Sequence, residues 1–384
     1  MPRTTGTYRV TRVEKEEVRA FVPEPLPPAN PPLVLDDGTA ALHAEAVTAV
    51  GKLGVAGAMV PSAEWFLYGF VRKEAVVSSE IEGTQATLQD VVTFEATKQA
   101  ERPDDVREVC NYVDALTYAR GQIAKPKGLP ISTRLLCGAH KRLMRGVRGA
   151  DKQPGEIRCS QNWIGGTRPG NARFVPPPPE VVPELMAQLD TWLHSNDALP
   201  PLVKAGLAHV QFETIHPFLD GNGRIGRLLI TLLLEHWGLL KSPMLYLSLA
   251  FKRRQQEYYA RLSGVRTEGD WEAWTTFYLE CVREAADDGV RAAQEIFTLI
   301  GKDRARLLKQ SMVTVPALRL LELLPSNPVV TLTLVVALLD TTKPTAIKAI
   351  ESLEKVGVLK ETTGKRRDRV YAYQAYLDAL TGAE

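Results

Sequence analysis

The sequence holds no apolar run near the roughly 20 residues needed to cross a bilayer. Its longest, Leu228–Leu234, is interrupted by Thr231 and closed by Glu235 and His236, which argues against an integral membrane protein. The opening MPRTTGTYRVTRVEKEEV lacks the apolar core of a signal peptide. Cysteine is scarce: Cys110, Cys137, Cys159 and Cys281 are widely spaced and form no CxxC pair. That argues against a zinc ribbon or a redox dithiol, and without a secretion signal it points to reduced thiols in the cytoplasm. Neither sign of charge dominates. Lys and Arg number 47 against 45 Asp and Glu, a net of +2, so the whole chain is not a non-specific polyanion binder, although a local basic patch stays open. With 45% hydrophobic and 24% charged residues the chain is neither disordered nor fibrous, and 384 residues leave room for two or three domains.

What is present divides into four segments. Residues 1–35 read as an extended, proline-rich leader. Six prolines lie between Pro23 and Pro32, and proline fixes φ and removes a donor, so 21–35 is expected to be neither helix nor sheet. Residues 36–125 turn helical, with Asp37 as an expected N-cap, Pro61-Ser62 opening a second helix, and a further amphipathic helix over 104–124. Residues 126–300 continue in helices. Ser132 caps one, others span 180–195, 202–215 and about 225–237, and helices fill 251–308 with Asp270-Trp271-Glu272 as a helix start. Between them, residues 150–180 are rich in Gly, Pro and Asn with two short apolar pieces, Trp163-Ile164 and Phe174-Val175, which read as a hairpin. Residues 311–384 form a separate unit of three helices (315–324, 332–340, 344–356) followed by two short strands around Thr363-Gly364-Lys365, the order of a winged helix-turn-helix.

The stretch His216–Arg227, HPFLDGNGRIGR, concentrates the chemistry. Gly221 and Gly223 flank Asn222 directly before a helix, where backbone N–H groups and the positive end of the helix dipole receive an anion. Arg224 and Arg227 stand three apart and share one side of the first turns, adding full charges for a polyphosphate. Asp220 supplies a hard oxygen of the kind that holds Mg²⁺ against phosphates. His216 titrates near neutrality and suits a general base. The same glycines match the bare GxGxxG of dinucleotide folds, but that fingerprint follows a strand, and LVKAGLAHVQFETI reads as a helix. His209 lies on an apolar helix face and reads as a core histidine.

HPFLDGNGRIGR resembles the motif of the Fic family, HPFxxGNGRxxR, at every specified position. Ser78-Ser79-Glu80-Ile81-Glu82-Gly83 is similar to the family's inhibitory pattern [ST]xxxE[GN], and SQNWIGG followed by FVPPPPEVVPELM lies where the family carries a target-docking flap. The resemblance spans roughly residues 40–290. It implies an all-α fold: a Fic-type helical bundle with a β-hairpin flap, followed here by the small winged unit. It also implies transfer of AMP from ATP to a Ser, Thr or Tyr hydroxyl of a protein, the chain itself included, with release of pyrophosphate. By motif position His216 is the catalytic base, and Asp220 holds Mg²⁺, with Mn²⁺ as a substitute. Gly221, Asn222, Gly223 and Arg224 bind the phosphates, and Arg227 grips the γ-phosphate. Glu82, with Ser78 heading its motif, is implied to be autoinhibitory by pairing with Arg227. Trp163, Ile164, Gly165 and Gly166 would line the flap, and one of Tyr258 and Tyr259 would stack beside the nucleotide base.

Two other readings stay open: removal of AMP at the same site, with Glu82 orienting a water, and a nucleotide-sensing regulator that binds DNA through residues 311–384. From Thr341 to Tyr373 eight basic residues face four acidic ones, a local net of +4. The expected partners are ATP, a hydroxyl-bearing target protein and, through the exposed helices, a second copy of the chain.

Overall fold

The computed structural model describes residues 3–13, 16–58, 63–311 and 313–382. In chain order its elements are β1 (Gly6–Val13), β2 (Glu16–Pro23), α1 (Asp37–Ala58), α2 (Ala63–Ile81), α3 (Leu88–Thr97), α4 (Pro103–Ile123) and α5 (Thr133–Leu143). Then follow α6 (Val182–Leu193), α7 (Pro201–Ile215), α8 (Asn222–His236), α9 (Leu247–Arg253), α10 (Gln255–Glu268) and α11 (Trp271–Leu308). The last are α12 (Val315–Leu323), β3 (Val329–Thr331), α13 (Leu332–Leu339), α14 (Lys343–Lys355), β4 (Lys360–Glu361), β5 (Val370–Ala372) and α15 (Gln374–Thr381). The chain is mostly helical, as the sequence predicts. Among the described residues no helix is long and apolar enough to cross a membrane.

The bundle is built around α7, whose residues from Leu202 to Ile215 are all buried. A helix buried on every side sits at the centre of a core, and here its polar residues Lys204, His209, Gln211 and Glu213 are buried with it. α8 packs along it, α1 lies against α11, and α4 packs on α5. Local chemistry sets several boundaries. Ser132 caps α5 by accepting from Leu135 N, and Asp270 caps α11 by accepting from Ala273 N. The cap of α1 lies one residue earlier than expected, since Asp36 Oδ1, not Asp37, accepts from Thr39 N at 2.7 Å. The expected helix start at Pro61-Ser62 lies outside the described residues.

The N-terminal segment differs from a leader. β1 and β2 pair antiparallel from Gly6↔Pro23 to Val13↔Glu16, so the strap begins only after Pro23. EEVRAFV alternates, with Val18 and Ala20 buried and Glu17 and Arg19 exposed. This period of two sets a hairpin face, and the charges that make the stretch look solvated occupy its outer side. Val13, Val18, Ala20 and Val175 form a small second core with Trp163 and Ala172 against it. The 150–180 segment, conversely, is less regular than a hairpin. One bridge, Ile164↔Phe174, ties it across with two hydrogen bonds of 2.8 and 3.1 Å. Gly165 and Gly166 at φ 69° and 77° break any longer ladder.

The C-terminal unit runs α12-β3-α13-α14-β4-β5-α15 with sheet order β3-β5-β4, consistent with a winged helix-turn-helix. β3 and α15 were not legible as elements in the sequence. The unit packs back on the bundle: Lys73 Nζ donates to Leu380 O (2.6 Å) and Tyr373 Oη to Asp303 Oδ2 (2.6 Å).

Candidate active site

α7 ends at His216, which takes a left-handed conformation (φ 51°, ψ 61°), and Pro217 cannot prolong the helix. Asn222 closes the loop that follows. Its Oδ1 accepts from Phe218 N and its Nδ2 donates to Phe218 O, both at 2.8 Å, so this side chain shapes the loop from within. Two residues outside the motif hold the loop from behind. Buried Arg158 donates Nε to His216 O (2.9 Å) and Nη2 to Pro177 O (2.6 Å), while its backbone N–H reaches Pro217 O (2.9 Å). His140 lies parallel on Phe218 with ring centroids 3.9 Å apart. Its Nδ1 accepts from Gly155 N (2.8 Å), which leaves Nε2–H to donate to Asp220 O (2.9 Å). Sequence reasoning missed both residues, because no local pattern ties them to the motif.

Burial, joined by the nearby charge of Arg158, lowers His216 to a pKa of about 4. The ring is therefore neutral at pH 7 and able to take a proton. Nδ1 lies 3.3 Å from the Glu213 carbonyl, so an Nδ1–H fits that contact and Nε2 is left as the basic atom.

Arg227 and Glu82 meet in the same cavity. Arg227 Nη2 donates to Glu82 Oε1 (2.8 Å) and Ser78 O (2.8 Å), and Nε donates to Ser78 Oγ (2.9 Å). Burial pushes the Glu82 carboxyl up, but the Arg227 charge outweighs it and holds Glu82 below the usual range. A Cβ on Gly223 would lie 2.2 Å from Glu82 Oε1. The second glycine of the motif thus admits a carboxylate to the first turn of α8. Glu213 lines the cavity as well, with Oε1 unpartnered and burial raising its pKa to about 7.

The cavity has a volume of about 530 Å³. It brings together His216, Gly223, Arg227, Glu82, Tyr258 and Tyr259, with Ile164 from the flap. Trp163, Gly165 and Gly166 are not on its lining. Tyr258 is buried, donates or accepts at 2.8 Å with His209 Nε2, and stacks on Phe251 at 4.6 Å, whereas Tyr259 is partly exposed. Arg224 also lies off the lining. It turns into the core, with Nη1 3.2 Å from Glu108 Oε2, which in turn accepts from Thr84 Oγ1 at 2.8 Å. Asp220 is half-exposed, with Oδ1 accepting from Gly221 N (2.6 Å), and like Gly221 and Asn222 it is not on the lining. That hard oxygen donor beside the loop fits Mg²⁺, which takes one or two carboxylates and completes its shell with water and phosphate oxygens. The lining also takes residues that the sequence does not single out: Tyr8 and Arg19 from the N-terminal hairpin, Arg173 from the flap and Arg266 from α10.

The Fic/DOC family N-terminal model matches residues 40–121 and the Fic/DOC family model matches residues 130–234. A protein adenylyltransferase Fic from Drosophila willistoni is 29% identical over 212 residues, covering 54% of this chain and 39% of that relative. The chain therefore spans about two fifths of the length of the curated relatives it matches. Among solved structures, a Fic family protein from Desulfovibrio desulfuricans G20 superposes with a TM-score of 0.57 at 23% identity, covering 89% of this chain and 98% of that one. A Fic domain containing signaling protein from Bacteroides thetaiotaomicron gives 0.52 at 18%, covering 65% and 97%.

Proposed function

Because the chain belongs to the Fic/DOC family, we propose that it is an autoinhibited protein adenylyltransferase, moving AMP from ATP to a protein hydroxyl. The observation that carries this is the placement of a neutral histidine and a carboxylate-blocked arginine in one cavity. In this reading His216 Nε2 takes the proton of the incoming hydroxyl. The oxygen bonds to the α-phosphorus, the bond from that phosphorus to the bridging oxygen breaks, and pyrophosphate leaves with the electron pair. The N–H groups at the start of α8 and the Arg227 guanidinium receive the phosphate charge. Asp220 would hold the divalent cation, whose contribution is to neutralise phosphate charge.

The same geometry supports a brake. While Glu82 holds Arg227, the guanidinium is not free for a γ-phosphate, and Glu82 Oε1 fills the space over Gly223. A hydrogen bond to a charged partner contributes about 1.5–3 kcal/mol, so Glu82→Gly is expected to raise transfer roughly 10- to 100-fold. The test is intact mass after incubating wild type, Glu82→Gly and His216→Ala with Mg²⁺-ATP and candidate acceptor proteins. One adenylyl unit gained with Glu82→Gly and none with His216→Ala is expected. Equal adducts in all three would remove the assignment. The setting proposed is the cytoplasm, where free cysteines stay reduced.

A second binding role is proposed for the C-terminal unit, contact with duplex DNA. It is supported by Lys365, Arg366, Arg367 and Arg369, exposed on the wing and without an ion pair among the described residues, beside Lys343 and Lys348 exposed on α14. Salt-dependent binding of a labelled duplex by the full chain, weakened in Arg366→Ala/Arg367→Ala, is expected. Absence of any salt-dependent binding would remove this role.

A further inference from the structure

Most of the cavity lining comes from three segments outside the family motif: the N-terminal hairpin, the flap and α10. β2 docks on the flap: Phe21 N donates to Val175 O at 3.0 Å, Glu16 accepts from Gly170 N at 2.6 Å and pairs with Arg168, and Phe21 lies 6.4 Å from Phe174. This docking presents the outer face of the hairpin to the cavity, with Arg19 over the Tyr8 ring at 4.6 Å. Beside it stand Arg173 on the flap and Arg266, whose guanidinium lies 4.0 Å from the centre of the Phe174 ring.

The charges here are unequal. Arg168 has a carboxylate partner in Glu16, but Arg19, Arg173 and Arg266 have none among the described residues. Arg266 donates Nε only to Leu262 O, and burial lowers its pKa to about 10. The lining's carboxylates are Glu17, Glu82 and Glu213; Glu82 is held by Arg227 and Glu213 acts on Arg266, so Glu17 alone is left near the exposed Arg19 and Arg173. Guanidinium groups without an ion pair at the cavity rim attract an anion that enters beside them. The γ-phosphate end of a nucleotide is accounted for by Arg227, which leaves the cationic wall for the other reactant.

We propose that Arg19, Arg173 and Arg266 select the acceptor, favouring a hydroxyl set in an extended segment that carries carboxylates on either side. Guanidinium groups suit this because they pair bidentately with carboxylates, and the Tyr8 and Phe174 rings help to fix the planes of Arg19 and Arg266. The N-terminal hairpin thereby acts in specificity. The acceptor role rests on the adenylyl-transfer reading of the same cavity.

Two fluorescent peptides of equal length test it, identical except that the residues around a central Thr are Glu in one and Gln in the other. Their binding to the full chain is measured by anisotropy, which needs no turnover, and their modification is measured with Glu82→Gly and Mg²⁺-ATP. The Glu peptide is expected to bind about fivefold to tenfold more tightly, and the preference is expected to vanish or reverse in Arg19→Glu/Arg173→Glu. Both positions are exposed, and unchanged thermal unfolding of the double variant separates a charge effect from misfolding. Equal binding of the two peptides overturns the proposal. So does a double variant that raises KM for ATP and leaves peptide binding unchanged, because the arginines would then hold the nucleotide. If the Glu peptide binds preferentially but neither wild type nor Glu82→Gly transfers AMP, the transferase reading fails while the selective surface stands.

Discussion

The floor and the roof of the cavity are built by different means. The floor, His216–Arg227, runs without a break from the end of α7 into the first turns of α8, and its loop is tied by Asn222, Arg158 and His140. The roof is assembled from the flap and the N-terminal hairpin, more than 140 residues apart in sequence, through one backbone hydrogen bond, a small apolar core and a surface ion pair. A fixed floor suits chemistry, which needs atoms placed to within a fraction of an ångström, and a lightly held roof suits exchange of a large substrate.

The largest break belongs to the floor. His216→Ala in the Glu82→Gly background is expected to lower transfer roughly 10²- to 10⁴-fold with little change in nucleotide binding, because in the proposed mechanism it removes the base and no phosphate contact. Single-turnover rates alongside ATP affinity check this. A loss confined to affinity would move His216 from the chemical step to binding.

Arg158→Ala comes next and tests the support behind the floor. It would leave the His216 and Pro177 carbonyls without their buried donors, at about 1–3 kcal/mol for each buried group left unsatisfied. The urea midpoint should fall clearly and transfer with it. Arg158→Lys should restore less than half of the loss, since one ammonium cannot reproduce the fork.

This asymmetry also governed what was legible. HPFLDGNGRIGR could be read directly because its groups lie within twelve residues of one another, and α7 and α8 read as helices from their spacing of apolar residues. The period of three that puts Arg224 and Arg227 on one side of α8 did not show that Arg224 turns toward Glu108, because that choice depends on a carboxylate over a hundred residues away. The hairpin was obscured for another reason. Its charges occupy the outer face, and the signal of burial lies in Val18 and Ala20, whose partner Val175 is remote in sequence. Long-range docking leaves no local period.

Acid should act on the floor before the roof. Burial holds His216 and His140 at about 4 and His209 at about 3, below their unfolded value near 6.5. Between these values the unfolded chain binds protons that the folded chain refuses, so these groups withdraw stability as pH falls from about 6.5 to 4. Glu213 has the opposite sign. Its folded pKa of about 7 lies above the unfolded value, so its contribution weakens as pH rises from about 4.5 through 7. Three histidines against this one carboxylate leave a net loss toward acid from the floor. Removing His209 as His209→Phe should flatten the slope of unfolding free energy between pH 4.5 and 6.5 by about one proton. An unchanged slope would mean that His209 is charged in the folded state.

The smallest effect is expected at the roof. Glu16→Gln keeps the shape of the side chain and removes its charge, so the Arg168 pair goes while a weaker acceptor for Gly170 N stays. Glu16 is a surface group held below its usual pKa by Arg168 and Gly170, and solvent and salt screen such pairs. The thermal midpoint should not move. Amide exchange at Gly170 and Phe21 should nevertheless quicken, because those N–H groups depend on the seat of β2 on the flap, while exchange at Phe218, closed by Asn222, should not. Parallel acceleration at Phe218 would show that roof and floor open as one unit. A roof-only change would establish that the flap is held by its own latch, and raising salt should then reproduce in wild type the exchange rates of the variant.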